Sequence, residues 1–212
     1  MRSRIELIDR EMLQPFVVLV LFSGIALVLS IPWAQRVGDL GAFSLSRHFP
    51  IYFPTQAFLL ATLGLSLGAA SVLRGEPRRV AVGLLVERVL LGQLLTLPYL
   101  FFMRTLYPGK ETAFLLILTH TTAVSLVCAL GSRLLQEPSR SRFSHAYPSK
   151  YLLFITYCLA PLPTALPGLS PLWFSGGVLR GETWTAILLS LSVPALALAF
   201  LLLRALQDHG GD

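Results

Sequence analysis

The sequence predicts an all-α integral membrane protein with six transmembrane helices, because long uncharged segments occupy most of its 212 residues. A membrane-spanning helix needs about 20 mostly apolar residues, and five of the six segments reach that length. Apolar residues make up 54% of the chain and charged residues only 13%, against about 25% charged in an ordinary soluble domain. The uncharged segments are 12–35, 48–73, 89–103, 112–132, 151–179 and 183–203.

The third segment is short only if Glu87 and Arg88 are taken as its limit. No internal repeat or low-complexity linker divides the chain, so we expect a single transmembrane domain over residues 1–212. The predicted spans are about 14–33, 51–73, 82–103, 112–133, 150–167 and 184–204.

The basic residues predict the orientation of the spans. With the N-terminus in the cytoplasm, twelve Lys and Arg residues fall on the inner side and five on the outer side. Positive residues near helix ends resist translocation, so both termini are predicted to be cytoplasmic. The net charge of +6 is spread over the gaps between apolar segments rather than along one face, which argues against nucleic-acid binding.

A short helix at the membrane interface is predicted over about residues 3–13. Ile5, Ile8 and Met12 recur there at helical spacing among charged residues, a pattern typical of an interfacial amphipathic helix. Pro15 is predicted to mark a bend into the bilayer. Acidic residues among the N-terminal arginines, and the length of the apolar segment, favour a retained helix over a cleaved signal peptide.

Small residues form a stripe along the second span, at alternating spacings of four and three. Such a stripe lets another helix approach closely in lipid. Two interpretations stay open, packing within the chain and a subunit interface, of which the first is the simpler. The stripe consists of Ala57, Ala61, Gly64, Gly68 and Ser71.

The segment between spans two and three mixes charged and apolar residues after a Gly-Glu-Pro turn. This pattern predicts a short amphipathic helix at the cytoplasmic surface, and a surface helix of this kind is suited to docking a partner. The candidate docking residues are Glu76, Arg78, Arg79, Glu87 and Arg88.

Three prolines interrupt the fifth uncharged segment, at Pro161, Pro163 and Pro167. Each removes a backbone donor that lipid cannot replace, so the end of this segment is not expected to be a straight helix. Residues 169–180 are predicted to form a short re-entrant or interfacial piece on the outer side. Trp173 and Trp184 are its expected interfacial anchors.

Motifs for nucleotide binding, catalysis or metal binding are missing from the sequence. The Gly109-Lys110 pair is followed by Glu111 and lacks the first glycine of a P-loop. Cys128 and Cys158 lie in apolar segments without metal or disulfide spacing. We therefore expect no enzyme activity, cofactor or metal site in this chain.

His120 lies near the middle of the fourth span among threonine and serine residues. An ionisable group at that depth is a candidate for a substrate path. The alternative is a neutral histidine that hydrogen-bonds to a neighbouring helix.

This layout resembles the membrane subunits of ABC-2-type transporters. The resemblance is carried by the interfacial helix, the six spans, the Arg74-Gly75-Glu76 turn with the following segment 85–95, and the proline-broken piece 166–181 before the last span. Segments 7–16 and 53–76 are also similar to the lipopolysaccharide-export permeases, but the large periplasmic domain of that family has no room here. The haem-exporter permease has a similar size, although no motif here selects it.

The ABC-2 resemblance implies a permease in a bacterial cytoplasmic (inner) membrane, most members of the family being exporters. Its partners would be two ABC ATPase subunits, which bind ATP and Mg²⁺, a second permease subunit, identical or related, and membrane lipids. The cytoplasmic segment would transmit movement of the ATPases to the spans. The apolar spans are compatible with a lipid-like or hydrophobic substrate.

Three alternatives remain open at the level of sequence. A substrate-binding membrane component of an energy-coupling-factor transporter also has six spans and a similar length, and it would present a ligand pocket at its outer face. A membrane scaffold would associate with partners but not with an ATPase. A membrane enzyme would have to use His120 with groups that the sequence does not reveal.

Overall fold

The computed structural model describes residues 10–30, 45–76, 78–105, 111–136, 154–155, 170–180 and 184–207. These residues are helical except at the turns, which confirms the predicted all-α class. The helices are α1 (Arg10–Ser30), α2 (Leu45–Leu73), α3 (Arg78–Thr105), α4 (Glu111–Gln136), α5 (Pro171–Arg180) and α6 (Trp184–Gln207).

Four helices are long and apolar enough to cross a bilayer, and they match the first four predicted spans. Their apolar portions are Leu13–Ser30, Tyr52–Leu73, Val80–Thr105 and Glu111–Leu135. The sixth predicted span corresponds to α6, in which the apolar stretch Ser190–Leu203 is shorter. The fifth, 150–167, lies outside the described residues apart from two helical positions, 154 and 155. Six spans, and the orientation of the termini, stay predictions.

The predicted interfacial helix and the bend after it stay predictions. Most of that segment, residues 3–9, lies outside the described part of the chain, and residues 10–13 already belong to α1. Pro15 lies inside α1 rather than ahead of it. It falls in the second turn, where its missing N–H leaves the carbonyl of Glu11 without the usual intrahelical hydrogen bond.

α2 is the central helix and packs against α1, α3, α4 and α5. Its apolar residues contribute to three clusters, one around Tyr52 and Phe53, one around Leu60 and Leu67, and one around Ala61 and Leu65. By contrast, α1 exposes most of its apolar side chains, such as Leu21. A helix with such an apolar outer face is suited to contact with lipid.

α3 replaces the separate amphipathic surface helix that the sequence predicts. A single helix runs from Arg78 to Thr105, so the mixed charged and apolar segment forms the first turns of a helix that is long and apolar enough to cross a membrane. The physical reason is that one face of these turns is buried, with Ala81 and Leu85 fully inside the bundle.

α5 is a short helix that lies against α2 and α4. Ser170 precedes it as an N-cap, because its Oγ accepts a hydrogen bond of 3.3 Å from the backbone N–H of Leu172. Pro171 follows at the first helical position, where its missing donor carries no cost. Phe174 and Val178 are buried in the core, so most of the predicted re-entrant or interfacial piece belongs to the packed bundle.

Candidate functional site

The small-residue stripe of α2 packs against α4 of the same chain. A Cβ atom placed on Gly64 would collide with the backbone carbonyl oxygen of Ser125, and one placed on Gly68 would collide with that of Ala129. Only glycine permits this approach of two backbones. These glycines are therefore used in packing within the chain.

Two serine hydroxyls of α4 use the close approach to reach the backbone of α2. Ser125 Oγ donates a 2.7 Å hydrogen bond to the carbonyl of Leu60, and Ser132 Oγ donates one of 2.7 Å to that of Leu65. Residue numbers increase together along the contact, so α2 and α4 are parallel. This register places the C-terminal ends of both helices side by side.

α2 ends in a Schellman motif, which requires a residue with positive φ. Gly75 supplies it with φ of 65°. Its N–H donates a hydrogen bond of 2.9 Å to the carbonyl of Val72, and the N–H of Glu76 donates one of 3.2 Å to that of Ser71. The turn is thus well defined, and it delivers the Glu76 side chain toward α3.

Glu76 forms a buried ion pair with Arg88 of α3. Arg88 Nη2 lies 3.0 Å from Oε1 of Glu76, and Nη1 lies 3.1 and 3.2 Å from its two carboxylate oxygens. The Arg88 side chain is only 1% exposed, against 13% for Glu76. Several hydrogen bonds in this geometry are what allow an arginine to be buried.

Arg133 of α4 binds the same turn from the other side. Its Nη2 donates a hydrogen bond of 2.8 Å to the backbone carbonyl of Glu76, and its Nη1 donates one of 2.8 Å to Ser71 Oγ. A cation at this position also complements the partial negative charge at the C-terminus of α2. We call Ser71, Glu76, Arg88 and Arg133 the turn cluster.

The turn cluster divides the predicted docking residues into two groups. Glu76 and Arg88 face each other inside the bundle, whereas Glu87 is exposed on the outer face of α3. Arg78 and Arg79 begin α3, and their side chains lie outside the described part of the structure. Sequence reasoning did not connect Arg133 to this turn, because nothing in its spacing shows which helix lies beside it.

A second set of polar side chains lies within the long apolar stretches of α2, α3 and α4. Gln93 Nε2 of α3 donates a 3.1 Å hydrogen bond to Thr121 Oγ1 of α4. In the parallel register that sets Gly64 against Ser125, Gln56 of α2 lies about one turn before the level of Thr121. With Tyr52 and His120, these residues form what we call the interior polar group.

Several atoms of the interior polar group have no hydrogen-bond partner among the described residues. They are Tyr52 OH, Gln56 Oε1, Gln93 Oε1 and His120 Nδ1. A buried polar atom without a partner costs about 1–3 kcal/mol, so this arrangement is unfavourable for stability alone. The sequence indicated His120, but Gln56 and Gln93 were missed, although uncharged polar residues inside apolar segments are visible in the sequence.

His120 is buried, with 1% of its surface exposed, and its ring stacks on Phe174 of α5. The two ring centroids are 3.9 Å apart and the ring planes differ by 14°. α5 therefore covers the imidazole. Both interpretations of His120, the substrate path and the neutral histidine that hydrogen-bonds to a neighbouring helix, stay predictions.

Replacing His120 with phenylalanine tests the energetic cost of the Nδ1 atom that has no hydrogen-bond partner among the described residues. The variant keeps an aromatic ring of similar size for stacking on Phe174 and removes the unpartnered nitrogen, so we expect the free energy of unfolding to rise by about 1 kcal/mol. Thermal unfolding of the purified protein in detergent measures it. A clearly lower unfolding temperature would show that the imidazole nitrogens contribute to folding.

No group of three or more His, Cys, Asp or Glu residues in the described part of the chain is arranged to hold a metal ion. Comparisons with family models, with curated proteins and with solved structures found no match. The function is therefore inferred from the turn cluster and the interior polar group.

Proposed function

We propose that this chain is the permease subunit of an ABC transporter. It would couple ATP hydrolysis by separate ATPase subunits to the movement of a lipid-like or hydrophobic substrate across a bacterial cytoplasmic membrane. The ATPases would dock at the end of the bundle that carries the turn between α2 and α3. A second permease subunit, identical or related, would complete the transporter.

The observation that supports the proposal is the attachment of one turn to three helices. The turn continues α2, its carboxylate holds Arg88 of α3, and its backbone carbonyl holds Arg133 of α4. Charge-assisted hydrogen bonds of this kind are among the stronger contacts in proteins. A displacement of the turn by a partner would therefore move the ends of α2, α3 and α4 together.

The exposed surface beside the turn is the proposed docking site. Glu87 is exposed on α3, one residue before the buried Arg88. A partner that binds Glu87 through a basic residue would thus act next to the turn cluster. The interior polar group, including His120, would supply polar contacts to a substrate that moves between the helices.

Reversing the charge at Glu87 is the cleanest test of docking. We expect Glu87→Lys to abolish co-purification of the ATPase in mild detergent while leaving the unfolding temperature unchanged, because Glu87 is exposed. Glu111→Lys is the matched control, since Glu111 is also exposed but begins α4 at the other end of the α3–α4 hairpin. Equal ATPase recovery from both variants would contradict the proposal.

A second candidate function is the substrate-binding membrane component of an energy-coupling-factor transporter. The unpartnered atoms of the interior polar group favour it, because such atoms suit recognition of a small polar ligand. This candidate requires a vitamin to remain bound in the purified protein. Mass spectrometry of a denatured sample would detect the vitamin. Co-purification of an ATPase, with no vitamin bound to this chain, would favour the permease.

A further inference from the structure

A lipid-facing groove runs between α3 and α4 and ends at a pair of opposite charges. The groove has a volume of about 210 Å³. Its floor is formed by the buried side chains of Leu100 and Phe114, and its rim by the exposed side chains of Phe101 and Leu115. The wall is therefore apolar along its length, as an acyl chain requires.

The position of the charges relative to the groove matches the layout of a phospholipid. Arg104 and Glu111 line one end of the groove, and Leu97 and Leu118 line the other. Each leucine is seven residues from its charged neighbour, so the groove extends about 10 Å along the helices. Because Arg104 and Glu111 lie at the ends of apolar spans, the charges are at headgroup depth and the leucines lie deeper in the bilayer.

Arg104 and Glu111 interact only weakly with each other. Arg104 Nη2 lies 3.9 Å from Glu111 Oε1, and the two side chains are 47% and 56% exposed. An exposed pair at this separation contributes at most about 1 kcal/mol, so a ligand that separates the two groups loses little. The guanidinium presents donors for phosphate oxygens, and the carboxylate presents acceptors for an ammonium group.

We propose that this groove is a binding site for a zwitterionic phospholipid of the phosphoethanolamine type. One acyl chain would lie in the groove, the phosphate would bind Arg104 and the ammonium would bind Glu111. The carboxylate would disfavour a headgroup with net negative charge, so the site selects the lipid as well as holding it. The inference does not depend on the proposed transport function, because it concerns only α3 and α4.

The test is native mass spectrometry of the full-length protein in detergent with equal amounts of phosphatidylethanolamine and phosphatidylglycerol of the same acyl chains. We expect preferential retention of phosphatidylethanolamine. Arg104→Gln should lower its retention about tenfold, the effect of one lost charge-assisted hydrogen bond. Glu111→Gln should remove the preference between the two lipids.

A second pair of variants tests the groove itself. Leu115→Trp should lower retention of phosphatidylethanolamine because the larger side chain fills the rim. Leu196→Trp, an exposed position on α6 outside the groove, should leave it unchanged. All four substituted side chains are exposed, so unchanged unfolding temperatures are expected.

Three results would overturn the proposal. The first is a wild-type protein that retains phosphatidylglycerol as well as or better than phosphatidylethanolamine, which would indicate an anion site at Arg104 alone. The second is a Glu111→Gln variant with the wild-type preference. The third is equal retention in the Leu115→Trp and Leu196→Trp variants.

Discussion

Replacing Glu76 with glutamine is expected to lower the free energy of unfolding by about 3 kcal/mol. The substitution removes the carboxylate that pairs with Arg88, and breaking a buried ion pair from one side costs about 3–5 kcal/mol. The lower end of that range applies because the amide oxygen still accepts a hydrogen bond. Unfolding of the purified protein in mixed detergent micelles measures the change.

Two controls show whether the loss of stability comes from the missing charge of Glu76 in its buried position. Glu87→Gln changes the same residue type on the exposed face of α3 and should shift stability by less than about 0.5 kcal/mol. The double variant Glu76→Gln/Arg88→Gln removes both charges and should recover part of the loss. A Glu76→Gln protein as stable as the wild type would mean that the ion pair between Glu76 and Arg88 does not stabilise the bundle.

Alanine at Gly64 or at Gly68 is expected to destabilise the protein by at least about 2 kcal/mol each. The added Cβ meets backbone carbonyl oxygens of α4, at Ser125 and Ala129 respectively. Overpacking usually costs about 1–3 kcal/mol. Here no side-chain rotation relieves it, so the helices must separate. The separation would also stretch the hydrogen bonds from Ser125 and Ser132.

Gly83→Ala is the matched control for this prediction. Gly83 lies on an exposed face of α3, and a Cβ there meets no atom within 4 Å. Since alanine has the higher helix propensity, the control should be neutral or slightly stabilising. Chemical unfolding measures the stability of each variant. Equal stability of Gly64→Ala and Gly83→Ala would contradict the close packing of α2 on α4.

The glycine variants and the Glu76→Gln variant also distinguish the packing of α2 on α4 from the coupling of ATPase activity to transport. The Gly64 and Gly68 variants act on the middle of the α2–α4 contact, whereas Glu76→Gln acts on its end. If the proposed permease function holds, mild substitutions in the turn cluster should impair the coupling of ATPase activity to transport more than their effect on stability predicts. Substitutions of the glycines should lower stability and transport in proportion.

Several elements could be predicted from the sequence because they depend on local composition. The spans at 51–73 and 112–133 lie within α2 and α4, whose ends extend only a few residues further. Gly75 was a clear candidate for the turn, because a helix that stops before a Gly-Glu-Pro sequence needs a residue with positive φ. The stripe of small residues likewise indicated close helix packing.

Other features could not be predicted because they depend on which helix faces which. Arg88 was expected at the membrane surface, yet its side chain points inward to Glu76. Arg133 was counted only as a positive residue near a helix end, but it binds the turn of a different helix pair. The same limit applied to Gln93, whose hydrogen bond to Thr121 depends on how α3 packs against α4.

The helical class and the suitability for a membrane could be read from the amino-acid sequence, because length and apolar composition are enough to show whether a helix can cross a bilayer. The roles of the polar residues became visible only in the folded structure. There, the glycines of α2 face α4, Glu76 pairs with Arg88, and Phe174 covers His120. These outcomes depend on the rotation and register of neighbouring helices, which are set by contacts between residues far apart in the chain.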